Sequence, residues 1–187
     1  MSITILHPYS NNREENQRRT WDFLSRLDKE RPYKIVHKLV TGKYGYDNFL
    51  AEYWGKSDIL VIEQDIVPTI SQVDEIINCK EEWCAFKYRT NLITFVLFNI
   101  WFTSALGFTK ISRRLQQKYP SSLWVQTPKG NEGWRNIDQR VFHHMCNVDG
   151  LHAHIHGIVE HNHPIDYDVH DDGTIVRKGE QADNKIF

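Results

Sequence analysis

Residues Asp58 to Asp65, reading Asp-Ile-Leu-Val-Ile-Glu-Gln-Asp, constrain this chain more than any other segment. The unbroken apolar run Ile59 to Ile62, bounded by polar residues, is what a strand buried on both faces requires, and such strands form the centre of parallel sheets. It runs directly into two carboxylates. In open α/β sheets ligands bind beyond the carboxyl ends of the strands, which is where Glu63 and Asp65 stand. On an extended chain alternate side chains share one side, so the two acids are expected ~7 Å apart with a divalent cation between them. Oxygen ligands suit Mg²⁺ or Mn²⁺.

The segments around this strand follow an alternating order. Ile3 to Leu6 reads as a first strand, stopped at His7-Pro8 because proline cannot continue a central ladder. Asn11 or Asn12 can cap a helix that carries Trp21, Leu24 and Leu27 at helical spacing and ends before Pro32. Tyr33 to Val40 reads as a second strand, Asp47 as the cap of a short helix, and Ser71 to Asn78 as another helix before a strand at Trp83 to Tyr88. Three such alternations favour an α/β fold with a mainly parallel central sheet covered by helices on both faces. A helix is also expected from about Asn136 to Cys146, leading into a histidine-rich strand. One domain is expected over residues 1–165. Residues 166–187 are polar and read as an appended hairpin or lid.

Composition narrows the class of partner. Lys and Arg number 23 against 24 Asp and Glu, a formal charge of −1, so no global field draws the chain to nucleic acid or to a membrane surface. Arg13, Arg18, Arg19 and Arg26 are interleaved with acids and read as a solvated helix face. The most apolar run, Leu92 to Phe102, is interrupted by Thr94 and Asn99 and is shorter than the ~20 residues that span a bilayer. No integral membrane segment is expected. The first residues lack a signal-peptide pattern, which makes the cytoplasm (a host cell's, for a viral protein) the expected compartment. Cys79, Cys84 and Cys146 form no Cys-x-x-Cys pair and read as reduced core thiols, with a Cys79–Cys84 disulfide as the alternative.

Further motifs follow in order. Thr103-Ser104-Ala105-Leu106-Gly107-Phe108 contains a glycine that permits close backbone approach. Trp134-Arg135-Asn136-Ile137-Asp138-Gln139-Arg140 sets Asp138 at a helix start, where the macrodipole favours the ionised carboxylate, a form that accepts a proton. His152, His154 and His156 alternate on one face of a strand, and His161 and His163 follow.

Taken together, these motifs resemble the GT-A-fold glycosyltransferases, most nearly small examples from crenarchaeal viruses, over roughly residues 2–164. The resemblance implies a single-domain nucleotide-diphospho-sugar transferase fold. It makes Glu63-Gln64-Asp65 a Glu-first version of the family's metal-binding acid-x-acid motif, Mn²⁺ or Mg²⁺ the cofactor, and a nucleotide-sugar the donor. A glycan or glycoprotein would be the acceptor. Gly107 would lie beside the donor sugar, Asp138 would be the base of an inverting reaction, and His156, ahead of His154, would complete the metal site. Tyr9 would stack the nucleotide base and Arg13 reach a phosphate. Tyr44, Tyr46, Trp101 and Trp134 are aromatics available for stacking on sugar rings, and Asp149 is the fallback base. Two other readings remain open: a zinc-dependent hydrolase centred on the histidines, and a nucleotide- or sugar-binding module without turnover.

Overall fold

The computed structural model describes residues 3–10, 14–41, 44–89, 101–102, 106–125, 137–161, 167–169 and 175–177. The chain opens with β1 (Ile3–Tyr9), α1 (Glu14–Glu30), β2 (Lys34–Leu39), α2 (Gly45–Tyr53) and β3 (Asp58–Ile62). β1 lies between β2 and β3 and is parallel to both. This is the expected parallel crossover pattern, and β3 is buried from Ile59 to Ile62 as its composition demands.

Beyond β3 the sheet departs from the parallel expectation. After the two-residue β4 (Ile66–Val67) and α3 (Ile70–Asn78) come β5 (Trp83–Arg89), β6 (Trp101–Phe102) and β7 (Phe108–Ile111). β7 inserts antiparallel between β3 and β5, giving a mixed seven-stranded sheet in the order β2-β1-β3-β7-β5-β6. The remaining member is β8 (His154–Ile158), which pairs parallel with β5. A four-residue strand in an irregular stretch gives too short a periodicity to be seen in sequence. After β7 come α4 (Arg113–Lys118), a 3₁₀ turn (Ser121–Leu123), and α5 (Ile137–Phe142), which continues as a π-helix (His143–Val148). β9 (Glu160–His161) pairs with β4, and β10 (Tyr167–Val169) forms an antiparallel hairpin with β11 (Ile175–Arg177).

Strand alternation divides the core in two. Leu6, Ile59, Val61, Trp83 and Ile111 face one side, against Tyr46, Phe49 and Leu50 of α2, Leu115 of α4 and Val141 and Phe142 of α5. Ile5, Leu60, Ile62, Cys84, Phe86 and Phe108 face the other, against Phe23, Leu24 and Leu27 of α1 and Val73 and Ile76 of α3. Helices therefore cover both faces, as the alternation of elements predicts.

Two local devices fix the helices. Thr69 caps α3: its hydroxyl accepts from the Gln72 amide while the Gln72 side chain accepts from the Thr69 amide, which satisfies two orphan donors reciprocally. Asp47 does not cap α2 as expected. It lies inside the first turn, fully buried, and its two oxygens accept from Arg140 of α5 at 2.5 and 2.8 Å. This fork-to-fork pair ties α2 to α5 across 93 residues of sequence. Removing one member leaves the other charge dehydrated and unpaired, the costly way to break a buried pair. Arg140→Met is expected to lower unfolding free energy by about 3–5 kcal/mol, with part regained in Asp47→Leu/Arg140→Met, measured by urea denaturation. Equal stability of the wild type and the single variant would show that the pair contributes nothing.

Candidate functional site

The end of β3 is the geometric centre of the site. Its ladder reaches Glu63, whose amide donates to the Gly107 carbonyl at 2.9 Å, and then the chain turns: the Ile66 amide donates to the Glu63 carbonyl at 3.1 Å. Residues 63 to 66 thus form a tight turn in place of the extended chain expected from sequence. The two acids therefore do not project side by side.

Glu63 continues the alternation toward α2, where the Tyr46 hydroxyl donates to its Oε1 at 2.6 Å. Asp65 turns instead to His161, with Nε2 and Oδ2 3.3 Å apart. The residue between them has a structural task. Gln64 is buried, and its Oε1 accepts from the Ser10 amide at 2.7 Å, the Ser10 hydroxyl at 3.1 Å and Gln17 Nε2 at 3.0 Å. These bonds pin the turn to the end of β1 and to α1.

Asp138 comes from the first turn of α5, and its Oδ1 accepts from the Leu106 amide at 2.7 Å. Burial pushes its carboxyl up to about 6, against the lowering effect of that amide. The carboxyl therefore does not sit at an ordinary carboxylate value, as sequence reasoning expects at a helix start, because loss of water outweighs the amide hydrogen bond. Glu63 is displaced further. Burial raises its carboxyl well above the usual range, Asp138 and Asp65 add to the rise, and only the Tyr46 hydrogen bond opposes it. The same three acids, after burial itself, hold the Tyr88 phenol well above its normal value. Two carboxyl groups from the end of β3 and one from α5, distant in sequence, thus share one electrostatic environment.

Gly107 is required by packing. A Cβ there would stand 2.5 Å from Cε1 of Tyr88, so the space next to this backbone is occupied by the Tyr88 ring. Tyr9, at the end of β1, stacks on His7 with centroids 5.8 Å apart and meets Trp21 edge-on at 5.2 Å. His7 is fully buried; its Nδ1 lies 3.0 Å from His37 Nδ1, and its Nε2 has no partner. Burial lowers its pKa to about 3, with His37 acting in the same direction and Asp65 opposing, which keeps this ring neutral.

Several expected residues are placed elsewhere. His156 lies on the α1/α3 face: it stacks on Phe86 at 5.4 Å and its Nδ1 is 2.9 Å from Glu75 Oε1. Glu63 points to the α2/α5 face, so the histidine at the strand-end acids is His161 and not His156. The signal missed in sequence is the β4–β9 pairing, which sets His161 opposite Ile66, next to Asp65. Tyr46 is fully buried against Glu63, which excludes it as an open platform for a sugar ring. Asp149 is held at the surface by Tyr119 and Lys118. Arg13, Thr103 to Ala105 and Trp134 to Asn136 lie outside the described residues, and so does His163.

The donor set fits a hard cation. Asp65 and His161 offer an oxygen and a nitrogen at one point, and Mg²⁺ or Mn²⁺ is commonly held by one or two carboxylates with phosphates and water completing the shell. Clustered carboxyls that burial holds above their normal range are also the groups a cation would relieve.

Burial of the Asp138 carboxyl has a pH signature. The folded-state value of Asp138 is raised, so its contribution to stability is full below about 4, the unfolded value, and fades as pH rises through about 6. Asp138→Asn, which can still accept from the Leu106 amide, is expected to flatten this fall. It should be more stable than wild type at pH 8 by about 1–2 kcal/mol and no more stable at pH 4, measured as urea midpoints without metal. An unchanged difference between the two pH values would refute the buried-acid account.

Comparison with solved structures shows the fold. The crystal structure of a glycosyltransferase involved in the glycosylation of the major capsid of PBCV-1 superposes with TM-score 0.51 and 12% identity, covering 84% of this chain and 82% of that one. The apo form of the glycosyltransferase GlyE of Streptococcus pneumoniae TIGR4 aligns with TM-score 0.38 and 11% identity, over 83% of this chain and 45% of that one. Comparison with family models and with curated protein sequences gives no match. At this identity the likeness is one of architecture: the chain has the mixed α/β fold of the capsid-modifying viral glycosyltransferase.

Proposed function

We propose that the protein is a metal-dependent glycosyltransferase that moves a sugar from a nucleotide-diphosphate donor to an acceptor hydroxyl of a glycan or glycoprotein, with inversion. The observation that carries this reading is the convergence of Glu63, Asp65 and Asp138 at the end of the central strand, on a fold shared with a glycosyltransferase. Asp65, with His161 beside it, would hold Mn²⁺ or Mg²⁺ on the donor diphosphate. Such an ion neutralises charge on a leaving diphosphate.

The chain's own residues divide the remaining work. Asp138 is a base whose pKa of about 6 lies near neutral pH, the condition under which a carboxylate both stays largely ionised and accepts a proton from a hydroxyl. The Leu106 amide fixes which oxygen of Asp138 faces inward. Glu63, bonded to Tyr46, supports the site electrostatically, and its tie to Tyr46 makes it a weaker metal ligand than Asp65. Tyr9 and its aromatic neighbours at the end of β1 offer the surface for a nucleotide base.

The test is a screen of nucleotide-sugars with Mn²⁺, following nucleoside diphosphate release, alongside calorimetric titration of nucleoside diphosphates with and without the ion. A donor with metal-dependent turnover is expected. Asp138→Asn should retain metal-dependent nucleotide binding and lose turnover by about 10²–10⁴-fold, whereas Asp65→Asn should lose the metal-dependent part of binding. Metal-dependent binding without turnover on any donor would instead establish a binding module. No nucleotide binding in either condition would reject the transferase.

A further inference from the structure

A second cluster of chemically competent side chains lies away from the strand-end acids and has no part in the reaction proposed above. Cys79 is the C-cap residue of α3, and His154 and His156 are the first and third residues of β8. Parallel pairing of β8 with β5 sets His154 opposite Cys84, and His156 stacks on Phe86, so both imidazoles lie on the face that α3 covers. There the helix ends and delivers Cys79. The result is one sulfur and two imidazole nitrogens, from two separate elements, all within 4.8 Å of one another. Among the described residues this is the one set of three or more such donors gathered so closely.

Three further observations point to a ligand. The His156 side chain is nine-tenths buried, and with Nδ1 facing Glu75 Oε1 at 2.9 Å its other nitrogen, Nε2, is buried without a partner. A buried polar atom without a partner is a cost that folded proteins rarely carry for nothing. Glu75 occupies the outer position typical of metal-bound histidines, whose second nitrogen donates to a carboxylate that fixes the tautomer. Finally, two cavities flank the cluster. One of about 1000 Å³ is lined by Cys79, Lys80 and Lys110, and one of about 370 Å³ by His152, His154 and Trp83, so the exposed side of His154 gives an ion a way in.

We infer that Cys79, His154 and His156 form a zinc-binding site, with Glu75 orienting His156 and a water molecule in the fourth position. Thiolate and imidazole are the donors that Zn²⁺ prefers over Mg²⁺ or Mn²⁺, so this site and the strand-end acids select different ions. Tetrahedral bonds of about 2.0–2.3 Å place ligand atoms about 3.5 Å apart, which asks the three side chains to draw in by about 1 Å. Cys84 is left out of the shell: its sulfur donates to the Glu81 carbonyl at 3.4 Å. Lys110, whose ammonium donates to the Cys79 carbonyl, holds the end of α3 beside the cluster. Zinc here ties the edge strand β8 to the end of α3. Because β9 follows β8 after one residue, it also steadies the approach of His161 to Asp65.

Cobalt titration of the full chain, stripped with chelator and kept reduced, tests the inference. Co²⁺ is expected to give a thiolate-to-metal charge-transfer band in the near ultraviolet with intense visible bands of four-coordinate cobalt, saturating at one equivalent and abolished by Zn²⁺. Cys79→Ser should lose the charge-transfer band. His154→Ala, a change at an exposed residue that leaves the core intact, should weaken binding at least 10-fold, and Glu75→Gln by about 10-fold. Asp65→Asn should keep both bands, and Zn²⁺ should raise the melting temperature of wild type but not of His154→Ala. Absence of the thiolate band in wild type, its persistence in Cys79→Ser, or its loss in Asp65→Asn would each overturn the assignment.

Discussion

Carboxyl groups that have lost water at the end of a buried strand must be held in place by something stronger than their own mutual repulsion. In this protein the restraint is the buried ion pair between Asp47 and Arg140. It joins α2, which carries Tyr46, to α5, which carries Asp138, and both side chains act on Glu63, one by a hydrogen bond and one by its charge. The pair stands one residue from Tyr46 and two from Asp138, so any slip between the helices would reach both at once. Hydrophobic contacts of Phe49, Leu50, Val141 and Phe142 bring the helices onto the sheet, but apolar packing is not directional. A forked charge pair supplies the direction.

The acids of the site share one electrostatic condition. Glu63 and Asp138 both have raised pKa values, and in both cases loss of water is the largest cause. A group in that condition is destabilised when charged. It is relieved either by protonation or by a cation, and a site poised between these two outcomes suits charge-moving chemistry.

Much of this was legible in the sequence, for identifiable reasons. β3 and its terminal acids could be read because burial on both faces leaves an unbroken apolar run, and Asp138 because a helix start leaves an acid before a periodic segment. The turn at Glu63 to Ile66 was not legible, since Glu-Gln-Asp carries no glycine or proline to mark it. His161 was passed over for His156 because strand alternation gives the face of a histidine but not the partner of its strand; only the β4–β9 register brings residue 161 to Asp65. The Asp47–Arg140 pair spans two motifs that look independent along the chain. What crowds Gly107 is a tyrosine ring, a contact that the sequence around it does not signal.

The reversed strand β7 enters the sheet from the end where the acids lie, so Leu106, just ahead of it, orients Asp138 through an N–H that every amino acid but proline possesses. An orienting group of that kind is indifferent to the identity of its side chain. Position 106, fully buried in the core, can therefore exchange one apolar side chain for another that fills the same space without losing the bond that orients the acid.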